Sequence, residues 1–277
     1  MTCGLGLNTY SFIQQGPIEA CLTEFKDDFD VFELVMYPGH LWPAERSAAD
    51  RAQLRARIVA QGARAVTVNM PNIDINIAAA APEMRRHSRR LLTDIIRLAG
   101  DVGAEGVVVG PGKANPLFPE ARAALEERLA DALDEMRPIA RDAGVGLWIE
   151  NMPFAFLPCA VDLMGFLDRY GADDLGIVYD LANAFFARED FRDGLKQVAP
   201  RLQLTHVSDT GRSVYRHDPV GEGVLPFSAF RAALEGIGHT RPPVLEIIAA
   251  SDPVRSTRRS AELLLAMGYG SKADFLR

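Results

Sequence analysis

The stretch Gly144-Val-Gly-Leu-Trp-Ile-Glu-Asn-Met-Pro153 (GVGLWIENMP) decides the fold. Val145, Leu147, Trp148 and Ile149 form a short apolar run, the pattern of a strand buried on both faces. The run ends on a carboxylate, Glu150, and Asn151 and Pro153 follow it. A buried strand that finishes on a charge needs a partner for that charge. The same construction recurs downstream. LGIVYD ends at Asp180, LQLTH ends at His206, and PVLE reaches Glu246. Successive spacings are 30, 26 and 40 residues, each about one strand-plus-helix unit. The last is lengthened by an inserted loop at 207–225.

Working outward, the theme of apolar strand, short loop and amphipathic helix runs along the whole chain. Strands are predicted at 4–8, 31–35, 65–69, 106–109, 146–149, 176–179, 202–205 and 244–247. Helical patterns lie at 17–27, 44–61, 82–102, 119–143, 161–170, 189–198, 228–237 and 256–267. Pro82 before Glu83, and Pro119 before Glu120, read as first-turn signals. Gly100, Gly144, Gly171 and Gly238 read as glycines that close helices. Eight strands alternating with eight helices imply parallel strands and right-handed crossovers. The count matches an α/β fold of the (β/α)8 TIM barrel type, a single domain over 1–277. A doubly wound open sheet is the alternative, but GLGLNTYSF lacks the third glycine and the immediate helix of a dinucleotide fingerprint. No linker or low-complexity segment divides the chain.

The chain has 277 residues, 48% hydrophobic and 24% charged, which is globular composition. Its net charge of −7 disfavours nucleic acid as a partner. No apolar run approaches the ~20 residues of a membrane span. The N-terminus has neither a basic segment nor a long apolar one, so no signal peptide is expected and the location is read as cytoplasmic. Cys3, Cys21 and Cys159 form neither a zinc nor a disulfide pattern and read as reduced thiols.

In a barrel the active site lies where the strands end. A single acidic residue there is ordinarily a helix cap or a loop salt bridge. Four consecutive strands ending on Glu150, Asp180, His206 and Glu246 are a different matter. Three carboxylates and an imidazole at one mouth would repel one another and be costly to desolvate. One divalent metal ion removes that cost. Oxygen-rich ligation with one imidazole and no thiolate suits Mn²⁺ or Mg²⁺ first, with Co²⁺ or Zn²⁺ also compatible. Four protein ligands on an octahedral ion leave two positions, which a vicinal hydroxyl and carbonyl would fill.

Taken together, GLWIENMP, IVYDLANAF, LTHVSD, VGEGVLPF and VLEI resemble the xylose isomerase-like TIM barrels. These include sugar isomerases and epimerases, inosose dehydratase-type lyases, hydroxypyruvate isomerase and endonuclease IV-type AP endonucleases. The resemblance is clear over 140–250; elsewhere it rests on general pattern, such as FELV at 32–35. It implies that Glu150, Asp180, His206 and Glu246 bind one metal. In the ketose 3-epimerase branch it also implies that Glu150 and Glu246 are catalytic. One removes a proton from a sugar carbon and the other returns it, through a cis-enediolate.

Departures bear on which branch applies. The endonuclease branch holds further zinc ions with extra histidines, one at the third residue after the metal aspartate; here that residue is Asn183. Strand three ends TVNMPN, with Asn69, and strand four VVVGPG, neither offering histidine. His217 and Asp218 resemble a third-metal pair whose partners are missing. The nuclease is therefore rejected at this level. Asn183 also departs from the ketose 3-epimerases, and Phe156 stands where they place a second glutamate.

Substrate-binding candidates are Arg212, Asn183, His217, Asn69, Trp42 and Asn8. Tyr10 could also hydrogen-bond sugar hydroxyls. Phe154, Phe156 and Phe185, with Trp42, are candidate walls of the pocket. Gly110-Pro-Gly-Lys113 reads as a turn, with a phosphate cradle as the alternative. His40, His87 and His239 read as surface or helix residues. The expected activity is a metal-dependent isomerase or epimerase of a small sugar or hydroxy-keto acid, acting by proton abstraction next to a metal-bound carbonyl. A metal-dependent lyase, of the inosose or dehydroshikimate dehydratase type, uses the same first step and stays open, as does a non-catalytic sugar-binding barrel. The expected partner is a small molecule, with neither nucleic acid nor membrane, and a homo-oligomer is left open.

Overall fold

A computed structural model describes residues 4–70 and 74–270, so the expectation for Cys3 lies outside the described residues. Eight parallel strands close on themselves in chain order: β1 (Gly6–Asn8), β2 (Val31–Val35), β3 (Arg64–Asn69), β4 (Gly106–Val109), β5 (Gly146–Glu150), β6 (Leu175–Asp180), β7 (Leu202–Val207) and β8 (Val244–Leu245). Around them run α1 (Ile18–Glu24), α2 (Ala48–Ala60), α3 (Pro82–Val102), α4 (Arg122–Ala143), α5 (Ala160–Tyr170), α6 (Leu181–Phe186), α7 (Phe191–Val198), α8 (Phe227–Gly236) and α9 (Pro253–Ala266). This is the expected (β/α)8 barrel. No helix among the described residues is long and apolar enough to cross a membrane.

Several boundaries move for local physical reasons. Pro82 opens α3 as expected, but α4 starts at Arg122 rather than at Pro119. Glu120 instead pairs with Arg128. Gly100 lies inside α3, which ends at Gly103 in the left-handed conformation. Gly144 and Gly171 do close their helices, at φ 70° and 76°. The predicted helix at 44–61 divides into a 3-10 turn at Pro43–Glu45 and α2, because Ser47 and Asp50 form a capping box that restarts the chain. A helix the sequence reading lacks, α6, begins directly after Asp180.

Two apolar assemblies hold the barrel. The larger lies between strands and helices. The smaller is the barrel interior: Val31, Val66, Val108, Trp148, Val178, Leu204 and Val244. Trp148 fills its centre because neighbouring strands carry glycine. A β-carbon at Gly106 would lie 2.7 Å from the indole, and one at Gly176 also 2.7 Å. Side chains of a strand alternate in direction, so the next inward residue is two further on. Counting two from Val31, Trp148, Val178, Leu204 and Val244 gives Glu33, Glu150, Asp180, His206 and Glu246. An apolar layer thus supports a polar one directly above it.

Candidate metal centre and its cavity

Glu150 and Asp180 are the last residues of β5 and β6, His206 lies in β7, and Glu246 follows β8. All four are buried, and one ligand atom from each lies within 4.8 Å of the others. The His206 Nδ1 is 3.0 Å from Glu150 Oε1, 3.1 Å from Glu246 Oε2 and 3.9 Å from Asp180 Oδ2. The fold therefore brings together the four strand-end residues expected from the sequence to form one site.

Asp180 has two separate tasks. Its Oδ1 accepts from the Asn183 backbone N–H at 2.5 Å and so caps α6. Its Oδ2 is buried with no hydrogen-bond partner among the described residues. The strand end itself is held by Asn151, whose amide accepts from the Asp180 N–H at 2.7 Å and donates to the Asp180 carbonyl at 3.1 Å.

Burial pushes the Glu150 and Glu246 carboxyls up to about 7 and that of Asp180 up to about 6. Neighbouring carboxylates add to each rise. Burial alone would lower His206, but Glu246 and Glu33 outweigh it and hold the imidazole well above its ordinary value. An orphaned oxygen, crowded carboxyls and a three-oxygen, one-nitrogen donor set fit a divalent cation.

The fifth member of this layer, Glu33 on β2, was passed over in the sequence as part of FELV. It is 0% exposed. Its Oε1 accepts from Asn8 and, at 3.0 Å, from Asn69; its Oε2 accepts from Thr67. The His206 Nε2 is 3.1 Å from it. Burial would raise Glu33, but His206 and these hydrogen bonds overcome that and hold it below the usual carboxylate range. The signal was available: one charge in an apolar strand, two residues above inward-facing Val31.

A cavity of about 360 Å³ opens above the centre. Glu150, Glu246, Asn69, Asn183, His217, Tyr10, Asn76 and Lys113 line it with Met70, Ile75, Ile77, Met152, Phe154 and Ile248. Lys113 arrives on a loop held by Asn76, whose side chain accepts from the Lys113 N–H at 3.1 Å. Gly112 in that loop has φ 114°, and a β-carbon there would meet Ala78 at 2.5 Å, so the GPGK turn requires glycine.

The substrate candidates divide. Asn69, Asn183 and His217 line the cavity. Asn8 does not; it donates to Glu33 and, at 2.8 Å, to Glu246 Oε1. Trp42 packs on the outer core, and exposed Arg212 lies 4.6 Å over the Phe185 ring, neither in the cavity lining. Of the four aromatic wall candidates only Phe154 lines the cavity, while Phe156 is buried in the core. His40 is not a surface residue: it is buried, with Nδ1 2.7 Å from the Gly16 carbonyl.

Tyr215, not named from the sequence, organises the rest. Asn183 donates through Nδ2 to the Asn151 carbonyl at 2.8 Å, so its Oδ1 accepts the Tyr215 hydroxyl at 2.6 Å. The Tyr215 oxygen then accepts from His217 Nε2 at 2.9 Å. That leaves His217 Nδ1 to accept from Ser208 at 2.9 Å, 3.6 Å from Glu246 Oε2. Asp218 does not join His217; its carboxylate lies 3.9 Å from Arg216 and its backbone pairs with Asp209. Asp209 accepts from the N–H groups of Gly221 and Leu225, so the inserted loop is a folded strap.

Residues 26–267 match the family model described as xylose isomerase-like TIM barrel. A probable endonuclease 4 of Oleidesulfovibrio alaskensis is 32% identical over 213 residues, 68% of this chain and 70% of that protein. An L-ribulose-5-phosphate 3-epimerase of Escherichia coli O1:K1 is 23% identical over 185 residues, 66% of this chain and 64% of that protein. The crystal structure of a D-tagatose 3-epimerase-like protein superposes with a TM-score of 0.81 at 22% identity, covering 95% and 96% of the two chains. At that identity the superposition speaks for the fold alone.

Proposed function

The chain belongs to the xylose isomerase-like TIM barrels, and from that premise we propose that it is a divalent-metal-dependent isomerase or epimerase of a small sugar or hydroxy-keto acid. One observation carries the reading. Glu150 at the end of β5 and Glu246 just after β8 line one cavity beside an orphaned Asp180 oxygen and His206. Glu150, Asp180, His206 and Glu246 would hold the ion, and a Lewis acid there would acidify the C–H next to a bound carbonyl. Glu150 and Glu246 are then the bases that remove and return the proton. Asn8 and Asn69 orient Glu246 from behind, and Asn183 donates to Glu150 Oε1 at 3.5 Å. Phe154 and Ile248 help exclude water from the site. Lys113 supplies a positive charge in the lining for a substrate phosphate or carboxylate. The likeness to an L-ribulose-5-phosphate 3-epimerase supports this class of substrate.

The test is hydrogen exchange. Purified protein with Mn²⁺ is incubated in D₂O with a panel of ketoses, ketose phosphates and hydroxy-keto acids, and products are weighed by mass spectrometry. Deuterium incorporated with the skeleton intact is the expected result. Incorporation followed by loss of water and an ultraviolet-absorbing enone would assign a lyase. No exchange across the panel overturns proton abstraction altogether.

The identity with a probable endonuclease 4 favours a second reading. Against it stand Asn183, hydrogen-bonded to Tyr215, which in turn bonds to His217, and the net charge of −7. Cleavage of abasic-site DNA with Zn²⁺ supplied would establish the nuclease in place of the isomerase.

A further inference from the structure

We propose that Glu33 is the positioning residue of the metal centre, holding His206 in the one tautomer that turns the Nδ1 lone pair toward the other three ligands. The proposal rests on the reading that Glu150, Asp180, His206 and Glu246 bind a cation. His206 stands between two unlike neighbours. On its Nδ1 side lie Glu150, Glu246 and Asp180; on its Nε2 side lies Glu33, at 3.1 Å. A neutral imidazole has one N–H and one lone pair, and an ionised carboxylate only accepts. With a cation among Glu150, Asp180 and Glu246, Nδ1 must offer its lone pair there, and Glu33 on the opposite side takes the N–H of Nε2. A hydroxyl or amide N–H at the same place would favour the opposite tautomer.

Glu33 cannot swing away from this task. Asn8 and Asn69 donate to its Oε1, and Thr67 and His206 to its Oε2. These donors come from β1, β3 and β7, so the carboxylate is clamped across the barrel axis. Asn8 and Asn69 also reach Glu246 Oε1, at 2.8 and 3.5 Å. One network thus sets the orientation of two ligands. Among the described residues it is held by Asn8, Asn69, Thr67 and His206, none of them a lysine or arginine, which separates Glu33 from an ordinary buried salt bridge. Partners of this kind, one step behind a metal ligand, typically alter metal affinity by about 10–100-fold when removed.

Two measurements test this. In the zinc-loaded wild-type protein, ¹⁵N-histidine NMR should report His206 protonated on Nε2 alone. Glu33→Gln should weaken Mn²⁺ binding, by titration calorimetry, by about 10–100-fold and shift His206 away from that tautomer, with the thermal transition still cooperative. A Glu33→Gln protein that binds Mn²⁺ as tightly as wild type overturns the proposal. So does a zinc-loaded wild-type His206 carrying its proton on Nδ1, a result that needs no variant to fold. Wild-type protein that binds no divalent ion would overturn the metal reading along with it.

Discussion

Asp180 and Tyr215 show how single residues serve two structures at once. Asp180 caps α6 with one oxygen and, among the described residues, leaves the other without a hydrogen bond. Tyr215 joins Asn183 to His217 through one hydroxyl. Removing that hydroxyl strands two buried polar groups, so Tyr215→Phe should cost about 1–3 kcal/mol in urea unfolding. The titration of the centre has a definite sign. Glu150 and Glu246 are raised from their ordinary value to about 7, and a raised carboxyl favours the protonated folded state. Their contribution to metal-free stability is full below about pH 4.5 and is lost as pH rises toward 7. Metal binding must expel those protons, so Mn²⁺ affinity should strengthen at least about tenfold between pH 6 and 7.5. Calorimetry in buffers of different ionisation enthalpy should show the released protons. A pH-independent affinity would mean the two glutamates are not displaced by the ion.

At the scale of elements, the centre depends on strand alternation. Residues two apart on β5 place Trp148 in the apolar floor and Glu150 in the polar layer above it. The floor is tight, since glycines on β4 and β6 make room for the indole. Gly106→Ala pushes a methyl into that ring and should destabilise the protein by about 1–3 kcal/mol, read as a lower denaturation midpoint. Helix starts were legible where a single residue dictates them, as at Pro82. They were not legible where two signals compete: Pro119 looked like a start, but the chain turns helical only at Arg122. α6 was missed because its sequence, LANAFF, is short and its cap is a residue already read as a ligand.

For the whole molecule, an ion that binds only the folded barrel must stabilise it. At a hundredfold excess over its Kd, Mn²⁺ should add about 2.7 kcal/mol, raising Tm, and a chelator should reverse the shift. The alternation of strands and helices, and with it the barrel, was legible in the sequence because each unit carries its own periodicity. So were Glu150, Asp180, His206 and Glu246, because a charge ending an apolar strand is conspicuous without any structure. Glu33 was not singled out, because its importance lies in sharing a layer with His206, and only the closure of β1 onto β8 makes that layer. Nor could the sequence tell that Asn8 braces two glutamates while Arg212 lies outside the cavity over Phe185. A strand's own geometry dictates where its side chains point. A loop side chain takes its direction from contacts with segments far away in the chain, and those contacts exist only in the folded molecule.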